Sequence, residues 1–157
     1  MGRSGWSWGV VVWFGCTSAA HDHSHDAGDH HVRDPATEPC DAGNWASLYP
    51  DLRDCDLAGV VLDNGFLRRA DLTGANLTGA SLANADLFTA TLVAATAADI
   101  RLDGAKLTAV DATGADLTRA SLRGAVLFEA TLADALLDGA ITDATTTCPT
   151  GQEGPCW

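Results

Sequence analysis

The sequence predicts an all-β solenoid, a chain wound into a coil whose straight sides are five residues long. Two observations predict it. Leu recurs at every fifth residue, filling sixteen of the nineteen positions from 52 to 142, with Ala97, Ala112 and Thr142 in the other three. A small residue stands two places before most of these positions, as at Ala70, Ala75, Ala80, Ala85, Ala90, Ala115, Ala120, Ala125 and Ala130. On an α-helix, at roughly 100° per residue, successive Leu would step by about 140° and scatter around every side. On a strand an odd period sends each Leu to the opposite face. A coil with five-residue sides turns every central Leu and its small neighbour inward, and a fixed short period is the mark of a solenoid.

The chain has 157 residues, nine Lys and Arg against twenty-one Asp and Glu, and a formal net charge of -12. Such a balance argues against a nucleic-acid-binding surface, which needs clustered cations to displace counterions from phosphates. Aromatics make up only 6% and apolar residues 46%, so the core is built from Leu, Ala and Val rather than rings. No apolar run reaches the roughly 18 residues of a membrane span.

Residues 1–16 read as an export signal, with Arg3 near the start, an apolar stretch from Val10 to Phe14, and Gly15-Cys16 at the break. Trp13-Phe14-Gly15-Cys16 resembles the lipobox of bacterial lipoproteins, in which the signal is cut just before a lipid-modified Cys. Gly15 fits that pattern, whereas Trp13 stands where Leu or Val is usual. The resemblance implies lipid attachment at Cys16 and a place in the cell envelope, periplasmic or on the outer surface. A plainly cleaved signal and a chance cysteine are the other readings.

Residues 17–39 form a polar, disordered tether. His21, His23, His25, His30 and His31, all the histidines of the chain, alternate there with Asp22, Asp26 and Asp29. Such a tract serves as a soluble spacer. It can also bind Zn²⁺, Ni²⁺ or Cu²⁺, weakly because ordering the chain costs entropy. Residues 40–49 supply an N-terminal cap, with Trp45 and Tyr49 to cover the first coil. Residues 50–144 are the repeat, and residues 145–157 a Cys-containing C-terminal cap ending at Trp157.

Units such as ADLTG, ANLTG, ASLAN and ADLFT resemble the pentapeptide-repeat family over about residues 50–144. The resemblance implies a right-handed quadrilateral β-helix with four pentapeptides per coil. The nineteen units then form nearly five coils, a rod of roughly 23 Å at about 4.8 Å per layer. Where the inward pattern breaks, volume is exchanged. Ala112 lacks the Leu, but its own small slot holds Val110, and Ala97 is followed by Ile100 in the next small slot. Exchanging large for small avoids a cavity worth a few kcal/mol.

Outward positions sort into columns of residues twenty apart. One pair of faces carries Asp51, Asp71, Asp111, Asp56, Asp116 and Asp138, with Arg53 as its cation and Thr73, Thr78, Thr113 and Thr118 between them. It reads as a solvated surface, as a weak collector of divalent cations, or as a mimic of duplex charge. The quinolone-resistance members of the family are thought to act in that last way on bacterial topoisomerases, which requires a cytoplasmic protein. Another face carries Phe66, Phe88, Val126 and Phe128 beside Arg68, Asp86 and Lys106, a charge-rimmed apolar patch suited to a protein partner.

With Cys16 set aside, Cys40, Cys55, Cys148 and Cys156 remain. An even number outside the cytoplasm suggests disulfides, and the local pairing, Cys40 with Cys55 and Cys148 with Cys156, would staple each end. Cys55 also falls in an inward slot where a reduced thiol would pack well, leaving Cys40 without a partner. The repeat holds no His and no phosphate-cradling loop, so neither Ser-His nor Cys-His catalysis is expected. The expected role is a non-catalytic structural or protein-binding module at the bacterial cell envelope, without a cofactor. The alternatives are a cytoplasmic acidic rod acting on a topoisomerase, and a metal-binding envelope protein working through the His tract.

Overall fold

The five-residue period becomes a coil because each repeat unit makes one straight side and one corner. The computed structural model describes residues 40–157. From Asp51 onward, single-residue parallel β-bridges join positions twenty apart, as at Asp51 with Asp71, Asp71 with Thr91 and Thr91 with Asp111. Twenty residues therefore make one turn of four sides. Side 1 centres on Leu52, Leu72, Leu92, Ala112 and Leu132, and side 2 on Leu57, Leu77, Ala97, Leu117 and Leu137. Side 3 centres on Leu62, Leu82, Leu102, Leu122 and Thr142, and side 4 on Leu67, Leu87, Leu107 and Leu127. The strands are bridges rather than extended runs, because only the residues around each central position pair before the chain turns.

Layers are sewn together along every side. On side 1 the Leu72 N–H donates to the Thr91 carbonyl at 2.7 Å, Gly74 N–H to Val93 at 2.9 Å, and Thr91 N–H back to Ala70 at 2.9 Å. Each corner is closed by a bond such as Ala75 N–H to the Leu72 carbonyl, 3.0 Å. The residue two places after the central one takes φ between +54° and +70°, the pattern of a type II turn. Gly74 suits that corner, but Thr89, Ala94 and Arg119 occupy it as well. A left-handed L-residue costs roughly 1–2 kcal/mol, so the stacked lattice overrides local preference there.

The axis is apolar. Leu67, Leu72, Leu77, Leu82 and Leu87 are buried, as are the small residues Ala70 to Ala90 flanking them. Val110 and Ala112 share the axis at 3% exposure each, and Ile100 and Ala97 are buried likewise, so each pair fills its layer. Thr142 is partly buried, and its hydroxyl accepts the Cys156 N–H at 3.2 Å.

Both ends are closed covalently. Cys40 is bonded to Cys55, whose side chain occupies the inward slot, and Cys148 to Cys156. At the N-terminal end Cys40-Asp41 lies over Asp56 as an extra layer, and a short helix α1 (Trp45–Leu48) precedes the first coil. The sequence offered no helical period there, since four residues are too few to show one. At the C-terminal end one extra residue shifts the register, so that Val126 pairs with Thr147. Thr146 fills that irregularity fully buried, its hydroxyl donating to the Leu122 carbonyl at 3.0 Å. Cys16 and the five histidines from His21 to His31, with the boundaries read at residues 1–16 and 17–39, lie outside the described residues.

Candidate interaction surface

The outward columns differ in chemistry because successive units place different residues on either side of the central Leu. On sides 1 and 2 a carboxylate just before the Leu accepts hydrogen bonds from a Thr just after it. The Thr73 hydroxyl donates to Asp71 at 2.6 Å and its N–H at 3.1 Å. Thr113 does the same to Asp111, Thr118 to Asp116, and Thr78 to the Asn76 amide oxygen. The Thr113 hydroxyl and then its N–H hold the Asp111 carboxyl below its usual range, and Thr118 does the same for Asp116. These acids are thus spent locally on bracing their own side.

The acidic columns are also interrupted. Asn76 and Thr96 lie between Asp56 and Asp116, and Thr91 lies between Asp71 and Asp111. Arg53 pairs with Asp51 at 2.7 Å and reaches Asp71 at 3.7 Å. Among the described residues no three His, Cys, Asp or Glu side chains converge where an ion could sit.

Side 3 is a network across layers. The Ser81 hydroxyl donates to Asp63, Arg101 pairs with Asp103 at 3.1 Å, and the Ser121 hydroxyl donates to Asp103. The Ser81 hydroxyl keeps Asp63 low in pKa. At a corner of side 2, Arg119 grips Asp99 one layer below and depresses its titration. The twenty-residue spacing of this pair could have been read from the sequence once four sides were assumed.

Side 4 holds the four apolar residues singled out above, but not as one sheet of surface. Phe66 is 83% exposed at the N-terminal end. Phe88 is partly covered by Arg68, whose guanidinium lies 4.5 Å over the ring and pairs with Asp86 at 3.1 Å. Val126 and Phe128 lie toward the C-terminal end, Phe128 being 42% exposed beside Gly151 of the cap. Asp86 and Lys106 separate Phe66 from Val126 in their column. Side 4 therefore presents two apolar spots with a charged middle.

A model of pentapeptide repeats, eight copies, matches residues 51–87, 90–124 and 105–141, most of the described chain. The chain belongs to the pentapeptide-repeat family. Among solved structures, QnrB1, described as a plasmid-mediated fluoroquinolone resistance protein, superposes with a TM-score of 0.55 at 17% identity. The match covers 61% of this chain and 51% of QnrB1, so the chain spans about half the length of that protein. The likeness shows the β-helix fold alone. A pentapeptide-repeat protein from the Arabidopsis thaliana thylakoid lumen is 31% identical over 59% of this chain and 67% of that one, with a TM-score of 0.44. Rfr23, a pentapeptide-repeat protein from the cyanobacterium Cyanothece, is 26% identical over 66% of this chain and 96% of its own, with a TM-score of 0.34. No curated protein matches the chain in sequence.

Proposed function

We propose that this pentapeptide-repeat chain is an exported, non-catalytic module of the bacterial cell envelope, held by a lipid on Cys16 and presenting side 4 to a protein partner. The observation that carries this reading is the closure of both ends of the β-helix by disulfides, Cys40–Cys55 and Cys148–Cys156. Structural disulfides persist outside the reducing cytosol, and the N-terminal stretch ending at Cys16 supplies the route there. The spots around Phe66 and around Val126 and Phe128, with Arg68, Asp86 and Lys106 between them, suit a partner that contacts two apolar anchors across a polar centre. A binding role also fits the acids. Those whose titration is displaced, such as Asp63, Asp99 and Asp111, are displaced downward, away from the range useful for proton transfer near neutrality.

In this reading His21, His23, His25, His30 and His31 stand between anchor and domain, where they serve as a spacer that takes up Zn²⁺, Ni²⁺ or Cu²⁺ weakly. Mass spectrometry of the mature N-terminus tests the proposal. An acylated Cys16 is the expected result. A chain that retains Met1 contradicts it and restores the cytoplasmic, topoisomerase-directed alternative. Titration of Ni²⁺ into the wild type and into a variant lacking all five His tests the tract, and equal uptake removes the metal role.

A further inference from the structure

Each end of the β-helix is covered on only part of its perimeter, and the two ends are covered on different sides. At the N-terminal end Cys40-Asp41 lies over side 2 and Leu48 accepts the Asp51 N–H at the start of side 1, where Leu52 and Leu57 are fully buried, and the Tyr49 hydroxyl donates to the Arg68 carbonyl on side 4. Among the described residues none covers side 3. Val60 and Leu62 are only partly buried there, Val61 is 70% exposed, and Phe66 follows on side 4. Among the described residues the N–H groups of Val61 and Phe66 find no backbone acceptor.

At the C-terminal end the cap lies over sides 3 and 4. Thr147 pairs with Glu153, Cys156 N–H binds the Thr142 hydroxyl, and the Trp157 indole donates to the Ala140 carbonyl. Here none of the described residues covers sides 1 and 2. Leu132 and Leu137 are only partly buried and Leu136 is 58% exposed. The N–H groups of Leu132, Asp134, Leu137 and Gly139 find no backbone acceptor among the described residues. Open β-edges beside exposed apolar side chains are sites of association.

We infer that the chain associates with a second copy of itself head to tail, through a lap joint between these half-covered ends. When two copies are stacked in the same sense with their sides aligned, the N-terminal cap of the upper copy falls over sides 1 and 2 of the lower. The C-terminal cap of the lower copy falls under side 3 of the upper. Each cap fills the space that the other end leaves open.

Charge disfavours a joint between two C-terminal ends. From Ala130 onward the chain carries Asp134, Asp138, Asp143 and Glu153 but neither Lys nor Arg, whereas in the first coil Arg53, Arg68 and Arg69 offset most of the charge of Asp51, Asp54, Asp56 and Asp63. Two C-terminal ends face to face would oppose acids with no cation between them. Any like-to-like dimer would also leave the second bare edge of each copy uncovered. A heterologous joint covers both and repeats along the axis.

Sedimentation velocity of the full chain over a broad concentration range tests this, with Val61→Lys and Leu136→Lys as variants. Both positions are exposed, and an unchanged far-UV circular dichroism spectrum confirms that each variant folds. The wild type is expected to form concentration-dependent species that continue beyond a dimer. Each variant alone should lose association by about tenfold or more. An equimolar mixture should recover a one-to-one complex and stop there, because it retains one good end of each kind. A wild type that stays monomeric overturns the inference. So does a dimer that survives in either variant alone, or a mixture that recovers nothing.

Discussion

The middle coils and the end coils are built from the same repeat, yet they differ in what their leucines experience. From Leu72 to Leu127 each inward Leu is buried, with layers above and below it. Leu62 at one end and Leu132 and Leu137 at the other occupy the same slot of the same unit and remain partly exposed. Burial in this fold is therefore a property of stacked neighbours and not of the pentapeptide, as expected of a chain in which each layer touches only the next. The difference explains why both termini carry covers and cross-links that the middle does without.

The largest test of this contrast deletes the same side chain in both settings. Leu102→Ala, in the middle of side 3, should cost about 2–5 kcal/mol in urea denaturation. Leu137→Ala, at the half-open end, should cost nearer 1 kcal/mol, because less area returns to water. Equal losses would mean that the ends are as well packed as the centre.

A sharper test concerns the layers where Leu is missing. Val110→Ala should destabilise by about 2 kcal/mol, since Ala112 beside it cannot fill the space. Val61→Ala, on the exposed outer face, should stay within about 0.5 kcal/mol. Equal melting temperatures for the two variants would refute the exchange of volume at residues 110 and 112.

The smallest expected effect separates braced outer carboxylates from free ones. The Thr113 and Thr118 hydroxyls lower the folded pKa of Asp111 and Asp116 from 3.8. Their contribution is therefore complete above the unfolded value of about 3.9 and lost as pH falls through the lower folded value. Melting temperature should be flat from neutral pH down to that region and then decline. The double variant Thr113→Val, Thr118→Val should start lower and decline less. An identical acid slope in both proteins would show that these braces contribute nothing.

The axis of this molecule was legible in the sequence because burial repeats with the chain: every fifth residue meets the same environment, so a single register describes sixteen Leu. The exchanges at Val110 and Ile100 could be read for the same reason. The ends were less legible. Helix α1 has four residues, too few to show a period, and the extra residue before Thr147 is visible only as six steps instead of five between Thr142 and Cys148. Which sides each cap covers depends on where the chain folds back, and nothing in the pattern encodes that. The outer columns were legible as composition but not as contacts. Phe66, Phe88, Val126 and Phe128 share a side, yet Arg68 lies over Phe88, and Asp86 and Lys106 interrupt the Phe66 column.

Everything above depends on layers twenty residues apart being joined by hydrogen bonds. Through-hydrogen-bond scalar couplings between backbone ¹⁵N and ¹³C′ nuclei measure this directly in solution. The Leu92 nitrogen should couple to the Asp111 carbonyl carbon and the Leu72 nitrogen to that of Thr91, and so on along each side. Couplings from these nitrogens to the carbonyl four residues earlier, or none to the carbonyl nineteen residues later, would contradict the coil.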